Sequence, residues 1–93
     1  MNTYVVICTF QPDTVMDEVL AVVAEERAQV KVLQDEGRLG SIHVSLERGT
    51  VFLEVFAADP ASADDTVRTL PMSAWWELDF FPIAPDAGPG ADA

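Results

Sequence analysis

One carboxylate lies where helical periodicity predicts an apolar side chain. Between residues 15 and 33, valine, leucine and methionine recur at the spacing of a helix that buries one side. Glu26 falls near the centre of this apolar stripe, whereas Glu25 points to the opposite side. A carboxylate facing a sheet must be paired, reach water or take up a proton, and burial raises its pKa. Glu26 is therefore a candidate general base, and the alternative is that it lies at the stripe's edge, in solvent or paired with a basic residue.

A second pair of titratable residues is predicted on two neighbouring strands. If the turn at Arg48-Gly49 has two residues, the sole histidine, His43, lies opposite Glu54. This pair would lie on the sheet face away from Glu26, where a structural hydrogen bond is favoured over catalysis. A longer turn would shift the register, and His43 could then enter the pocket. With one histidine and one cysteine in the chain, we expect no metal and no cofactor.

Two adjacent tryptophans lie at the start of the last predicted strand. Consecutive strand residues face opposite ways, so Trp75 and Trp76 are expected on different faces. Trp76 is in phase with Leu78 and Phe80, which predicts that it faces the helices and lines the pocket or fills the core. Two carboxylates alternate with these residues and are expected on the opposite face or at a polar rim: Glu77 and Asp79.

The elements that would position these residues follow the order βαββαβ. Hydrophobic periodicity, capping residues and turn-forming residues predict the boundaries of these elements. They are strand Tyr4–Phe10, a helix from Asp13 or Thr14 to about Glu36, strands Arg38–Glu47 and Thr50–Ala57, helix Ser62–Leu70, and strand Trp75–Pro82. Thr14 and Asp17 have the spacing of a capping box, and Gly37 is expected to end the first helix. The order predicts an α+β, ferredoxin-like domain over residues 1–84, with both helices on one face of an antiparallel sheet. Residues 85–93 are expected to form a disordered tail.

The middle hairpin predicts a sheet with two apolar faces. With a two-residue turn, the face toward the helices carries Ile42, Val44, Leu46, Val51, Leu53 and Val55. The opposite face mixes aromatic and polar residues: Ser41, His43, Ser45, Phe52, Glu54 and Phe56. No helix remains to cover this second face, so we expect a homodimer in which the two sheets pack face to face.

Composition supports the same interpretation and excludes some partners. The chain has 93 residues, and 49% of them are hydrophobic, which favours a buried subunit interface in so small a domain. Its net charge of −11 argues against nucleic acid and anionic membranes as partners. Cys8, within the first strand, is expected to be a small core residue rather than a nucleophile. Without a basic segment before its first apolar run or a long apolar stretch, the chain is expected in the cytoplasm.

Several short blocks resemble the muconolactone isomerases at that family's spacing. They cover about two-thirds of the chain without a gap and read Glu25-Glu26-Arg27-Ala28, Leu33-Gln34-Asp35-Glu36-Gly37, Leu70-Pro71-Met72 and Pro82-Ile83. The resemblance implies a dimeric α+β barrel, with dimers often assembled into a larger ring. It also implies a cofactor-free active site between helix and sheet, in which the second glutamate of the family's pair moves a proton. That glutamate matches Glu26.

The resemblance fails at the positions that hold the family's substrate. A tyrosine and an asparagine of the family correspond to Gly49 and Val51, and a basic residue corresponds to Val44. We therefore expect a pocket lined by Val44, Val51, Leu53 and Trp76 that accepts a less polar substrate than muconolactone. The leading hypothesis is an isomerase for a small lactone, enone or unsaturated acid. A non-catalytic ligand-binding or oligomeric module and a cofactor-free oxygenase are the alternatives, the last by fold analogy alone.

Overall fold

The computed structural model describes residues 1–84; the predicted disordered tail at 85–93 lies outside the described residues. The elements are β1 (Asn2–Phe10), α1 (Met16–Leu20), α2 (Val23–Asp35), β2 (Leu39–Ser45), β3 (Thr50–Ala57), α3 (Pro60–Arg68), a 3₁₀ helix (Pro71–Trp75) and β4 (Trp76–Ile83). The 3₁₀ helix was not expected from the sequence, and it takes Trp75 out of the last strand.

The four strands form one antiparallel sheet in the order β2-β3-β1-β4. β1 lies between β3 and β4. The connection from β1 to β2 contains α1 and α2, and the connection from β3 to β4 contains α3 and the 3₁₀ helix. The predicted α+β class and four-stranded antiparallel sheet are therefore confirmed, and the arrangement is compatible with a ferredoxin-like plan.

The first predicted helix is in fact two helices, with a break at Ala21 and Val22. The predicted capping box is wrong: Val15 is the N-cap of α1 and makes no side-chain cap, while the Thr14 hydroxyl donates to the Gln11 carbonyl oxygen at 2.6 Å. Because α1 is short and separate, part of the expected apolar stripe does not face the sheet. Three of its members are at least half exposed: Val15, Met16 and Leu20.

The C-terminus of α2 has the predicted glycine stop. Gly37 has φ +74°, and the N–H of Arg38 donates to the Leu33 carbonyl while the N–H of Gly37 donates to that of Gln34. This pair of bonds is the Schellman motif, which satisfies carbonyls that the helix end would otherwise leave unpaired. It fixes the direction in which the chain leaves α2 for β2.

α3 begins two residues earlier than predicted. Asp59 rather than Ser62 is the N-cap, and its carboxylate accepts a hydrogen bond from the Ser62 N–H at 2.8 Å. Hydrogen bonds from Ser62 also hold the pKa of Asp59 below its usual range. Pro60 follows at the first helical position, where a missing N–H costs nothing. The Asp-Pro pair therefore starts a helix instead of only breaking the chain.

The β2–β3 turn is longer than the predicted two residues. Ser45 pairs with Thr50 and Val44 with Val51, so residues 46–49 form the turn and the register moves by two positions. A shift of two keeps each side chain on its predicted face, because strand faces alternate with a period of two. Leu46 is the exception, since it falls in the turn and is 90% exposed.

The core fills the space between the sheet and the helices. Its buried side chains come from alternate positions of the strands, from α2 and α3 and from the residue before the 3₁₀ helix, and include Tyr4, Val6, Cys8, Leu33, Leu53, Val55, Val67 and Leu70. The opposite sheet face carries side chains that are half-buried or exposed: Val5, Ile7, Phe52, Glu54, Phe56 and Phe81. The site described next lies on the core side.

Candidate active site

Glu26 lies in the first turn of α2 and faces the sheet. Only 9% of its surface is exposed, although it is a charged residue type. It makes no ion pair within residues 1–84. The adjacent Glu25 is exposed, as helical periodicity predicts for the opposite side. The buried orientation predicted for Glu26 is therefore confirmed, and the alternative position in solvent is wrong.

One hydrogen bond holds the Glu26 carboxylate. The backbone N–H of Met72 donates to its Oε1 at 2.9 Å. Met72 follows Pro71 in the first turn of the 3₁₀ helix, where backbone N–H groups have no partner within the helix. The 3₁₀ helix thus supplies the donor, and no pattern in the sequence had indicated it.

Burial raises the pKa of Glu26 above its ordinary value of 4.5, and the Met72 N–H partly opposes this by stabilising the ionised form. Desolvation is the larger of the two effects. A raised pKa makes the Glu26 carboxylate a stronger base than an ordinary glutamate. This property is typical of a general base in a cleft.

Glu26 opens on a cleft of about 180 Å³ between α2, the sheet and the 3₁₀ helix. All four residues predicted as its walls line it: Val44, Val51, Leu53 and Trp76. Further lining residues come from α2, β2 and the 3₁₀ helix: Val23, Arg27, Val30, Ile42 and Met72. Most of this wall is hydrocarbon. The cleft is smaller than the roughly 300–1,000 Å³ of sites for drug-sized ligands. It therefore fits only a small molecule.

Trp76 forms a rigid part of the cleft wall. It is the first residue of β4, pairs with Phe10 of β1 and is 4% exposed. Its ring meets that of Phe10 edge to face, with centroids 6.1 Å apart and an interplanar angle of 71°. Its indole Nε1 is buried without a hydrogen-bond partner in the described part of the chain. Trp76 thus faces the helices and lines the cleft, as predicted.

Arg27 supplies the cleft's positive charge. It follows Glu26 on α2, is exposed and makes no ion pair with any described residue. Periodicity alone did not indicate that it reaches the cleft, because the helical wheel turns it away from the stripe. A long side chain at the rim can nevertheless cover apolar wall while its guanidinium stays in water.

Cys8 lies in the core beneath this site and is fully buried. Burial, and to a smaller degree the negative charge of Glu26, raise the pKa of the Cys8 thiol to about 12. A thiol in this state is not a nucleophile near neutral pH. The prediction that Cys8 is a core residue is confirmed.

His43 and Glu54 lie on the other face of the sheet, as predicted, but not directly opposite each other. His43 pairs with Phe52, because the turn is longer than expected. The Glu54 carboxylate accepts a hydrogen bond from the Ser41 N–H at 3.1 Å. Both residues line a shallow groove on the open sheet face. The structure therefore separates them from Glu26 and keeps them on the surface predicted for dimerisation.

Residues 1–84 contain neither a cluster of metal ligands nor a membrane-spanning helix. No group of three or more histidine, cysteine, aspartate or glutamate side chains is arranged to hold a metal ion. No helix in this part of the chain is both long enough and apolar enough to cross a membrane.

Two comparisons of the sequence with known proteins gave no match. No protein-family model matches the sequence. A search of curated proteins finds no similar sequence either.

Proposed function

We propose that this protein is a cofactor-independent isomerase that moves a proton within a small lactone, enone or unsaturated acid, with Glu26 as the base. The observation that carries the proposal is the placement of one buried carboxylate, without a basic partner in residues 1–84, at an apolar cleft. Burying a carboxylate that has one hydrogen bond and no ion-pair partner among the described residues costs stability, so a carboxylate at this position is best explained by a use for it.

The reaction would need only one base. Glu26 removes a proton from the carbon next to a carbonyl, and the electron pair of the broken C–H bond spreads over the conjugated system to the carbonyl oxygen. The Glu26 carboxylic acid then returns the proton to the far carbon of that system, which regenerates the carboxylate. Proton transfer of this kind contributes about 10²–10⁴-fold to the rate. Orientation by the cleft walls supplies the remainder.

The cleft walls favour a substrate of low polarity. Val44 and Val51 occupy two of the positions at which the muconolactone isomerases carry polar substrate-binding groups, and both line the cleft. A hydrocarbon wall cannot compensate the desolvation of a substrate carboxylate. Any charged group of the substrate would therefore lie toward the exposed rim, near Arg27, and the reacting part would be uncharged.

We also propose that the protein acts in the cytoplasm as a homodimer built on the open sheet face, as a dimeric α+β barrel of ferredoxin-like subunits. Side chains of Val5, Ile7, Phe52, Phe56 and Phe81 on this face leave hydrocarbon in water in a single subunit. Packing two such faces would remove that hydrocarbon from water without covering the cleft, which lies on the other side of the sheet. Dimers could assemble further into a ring, as in the family that the blocks resemble.

A non-catalytic ligand-binding module is the second candidate. The observation that favours it is the absence of polar side chains at the positions of Val44, Gly49 and Val51, which weakens the case for catalysis. In that case Glu26 would be only a structural residue that accepts the Met72 hydrogen bond. Replacing it with glutamine would then leave ligand binding intact, and its effect on the stability of the fold would be neutral or stabilising.

An isomerisation assay with paired variants separates the two candidates. The substrate is α-angelica lactone, a small uncharged lactone whose isomerisation to β-angelica lactone creates a conjugated chromophore. We expect turnover by the wild-type protein, a loss of about 10²–10⁴-fold in Glu26→Gln, and no loss in Glu25→Gln, which changes an exposed carboxylate one residue away. Circular dichroism establishes that all three proteins are folded. Equal rates for folded wild-type protein and Glu26→Gln would contradict the proposal.

A further inference from the structure

We propose that two copies of this chain pack through their open sheet faces about a two-fold axis parallel to the strands. In this arrangement Arg48 of each subunit pairs with Glu77 of the other, and His43 of each pairs with Asp79 of the other. The inference rests on the homodimer proposed above and deepens it, because it assigns which edges of the two sheets meet and which side chains pair. It does not depend on the isomerase chemistry.

The strand register gives the open sheet face a row with different charges at its two ends. His43 of β2 pairs with Phe52 of β3. Phe52 pairs with Ile7 of β1, and Ile7 pairs with Asp79 of β4. The two middle residues are half-buried and apolar, whereas the two end residues are exposed. The row therefore has a histidine at one edge of the sheet, hydrocarbon in the middle and a carboxylate at the other edge.

The next row toward the β2–β3 turn has the same polarity. Ser45, Thr50, Thr9 and Glu77 pair with one another in this order across the four strands. Arg48, in the turn, lines a groove on the open sheet face together with the first three of these residues. Arg48 and Glu77 are exposed, and neither makes an ion pair with a described residue. The β2 edge is thus the basic edge of this face, and the β4 edge is the acidic one.

A carboxylate in the middle of the face is turned aside. Among the side chains that β1 and β3 present on this face, Glu54 is the charged one. Its Oε1 accepts a hydrogen bond from the backbone N–H of Ser41 on β2 at 3.1 Å. Gly40 makes room for this contact, because a Cβ at that position would collide with Glu54 Oε1. The carboxylate therefore lies against the β2 backbone, and the centre of the face is left to apolar side chains such as Val5 and Phe52.

Charge decides between the two ways in which a two-fold axis can stack these faces with the strands aligned. An axis parallel to the strands lays β2 of one subunit over β4 of the other, and β3 over β1. An axis perpendicular to the strands, in the plane of the interface, lays β4 over β4. The second arrangement brings the carboxylates of Glu77 and Asp79 against those of the partner, and opposed like charges at an interface are costly. The first arrangement is therefore favoured.

In the favoured arrangement, each row lies opposite the same row of the partner in reverse order. His43 then meets the partner's Asp79, and Phe52 meets the partner's Ile7. Each contact occurs twice, as two-fold symmetry requires. The apolar centre supplies hydrocarbon burial, and the charged edges determine the orientation of the two subunits. Arginine keeps its charge over the pH range in which histidine loses it, so the pair of Arg48 with the partner's Glu77 gives the sharper test.

A charge-swap series measured by analytical ultracentrifugation tests the pairing. We expect Arg48→Glu and Glu77→Arg each to raise the dissociation constant of the dimer about tenfold or more, because each variant opposes like charges twice in the dimer. The double variant Arg48→Glu/Glu77→Arg should return the dissociation constant to near the wild-type value. Lys31→Glu and Glu25→Arg are the matched controls, since they change the net charge equally at exposed positions of α2, on the other side of the sheet.

A mixture of the two single variants shows that the pairing is between subunits. In the heterodimer of Arg48→Glu with Glu77→Arg, both contacts join unlike charges, whereas each homodimer opposes like charges at both. With a different fluorescent label on each variant, we expect energy transfer in the mixture at concentrations at which either variant alone sediments as a monomer. Circular dichroism establishes that both variants are folded. A mixture that stays monomeric at those concentrations would overturn the inference.

The outcomes separate this inference from the proposals on which it rests. A monomeric wild-type protein would overturn both the dimer and the pairing. If Phe52→Glu dissociates a wild-type dimer but Glu77→Arg leaves it unchanged or tightens it, the dimer stands and the pairing is wrong. Turnover of α-angelica lactone reports the isomerase function separately, because neither Arg48 nor Glu77 lines the cleft. If the charge swaps behave as expected and the wild-type protein has no turnover, the pairing stands and the isomerase function is wrong.

Discussion

The backbone N–H of Met72 lies 2.9 Å from Oε1 of Glu26 and donates a hydrogen bond across 46 positions of the chain. This contact joins the start of α2 to the 3₁₀ helix and holds one carboxylate oxygen in place. The other oxygen, Oε2, accepts no hydrogen bond from the described residues. Glu26 is therefore both oriented by the fold and left with an oxygen that can take a proton.

The activity should follow the ionisation of Glu26. Because burial raises the pKa of Glu26 above 4.5, the carboxylate form needed to accept a proton becomes populated only at higher pH than for an ordinary glutamate. We expect kcat/KM for α-angelica lactone to rise with pH along a limb whose midpoint lies above 4.5. Activity measured across buffers of constant ionic strength checks this, and a rate that is already at its maximum at pH 4.5 would contradict it.

The stability of the fold should depend on pH through the same residue. A raised pKa in the folded state means that the folded protein binds this proton more tightly than the unfolded chain. The resulting stabilisation is complete below pH 4.5 and is lost as pH rises through the folded-state pKa of Glu26. We therefore expect the free energy of unfolding of Glu26→Gln to increase, relative to wild type, as pH rises over this range.

Urea denaturation of wild type and Glu26→Gln at a series of pH values measures this difference. Glu25→Gln is the control, since it removes an exposed carboxylate from the adjacent position. A difference between wild type and Glu26→Gln that stays constant with pH would show that burial does not perturb Glu26.

The α2 stop should be sensitive to a single methyl group. Gly37 has φ +74°, and no described atom outside Gly37 and its two chain neighbours lies within 4 Å of the position that a Cβ would take. The cost of Gly37→Ala therefore comes from the left-handed backbone alone, and is about 1–2 kcal/mol of unfolding free energy. Gly37→Asn should cost less, because asparagine tolerates this conformation better. Thermal denaturation checks both, and equal stability of Gly37→Ala and wild type would contradict the assignment.

The open sheet face should control the oligomeric state. A charge at Phe52, which is half-buried on that face in the single chain, would be placed in the proposed dimer interface. We expect sedimentation of the wild-type protein as a dimer or a larger assembly of dimers, and of Phe52→Glu as a monomer. Val32→Glu is the control, because Val32 is 45% exposed on α2 and away from the sheet. A monomeric wild-type protein would contradict the dimer.

Strong periodicity made much of the fold predictable. Alternating residues specified which side of each strand meets the helices, and Gly37 specified where α2 ends. The predicted register of the β2–β3 hairpin is wrong, because a turn of two residues and a turn of four residues place the strand side chains on the same two faces. The position predicted for Leu46 is wrong for the same reason, since Leu46 lies in the turn. The capping box at Thr14 failed since Val15 begins the helix and the Thr14 hydroxyl binds the Gln11 carbonyl instead.

In the candidate site too, some residues could be predicted from the sequence and others could not. Glu26 could be found because a single charge interrupts an apolar stripe, and Trp76 because it is in phase with Leu78 and Phe80. The Met72 donor could not be found, since a backbone N–H has no sequence signature and the 3₁₀ helix that presents it is short. Arg27 was missed as a cleft residue because the helical wheel describes where a Cβ points and not where a long side chain ends.

Solvent deuterium exchange tests most directly whether Glu26 moves a proton. In heavy water, the Glu26 carboxylic acid exchanges its proton for deuterium in part of the turnovers and can return the deuterium to the carbon it came from. Wild-type protein should therefore introduce deuterium at the carbon next to the carbonyl of α-angelica lactone, which nuclear magnetic resonance would detect. Glu26→Gln should lower this rate by about 10²–10⁴-fold, while Glu25→Gln should leave it unchanged. Exchange by folded Glu26→Gln at the wild-type rate would contradict the account, because the proton would then be removed by another group.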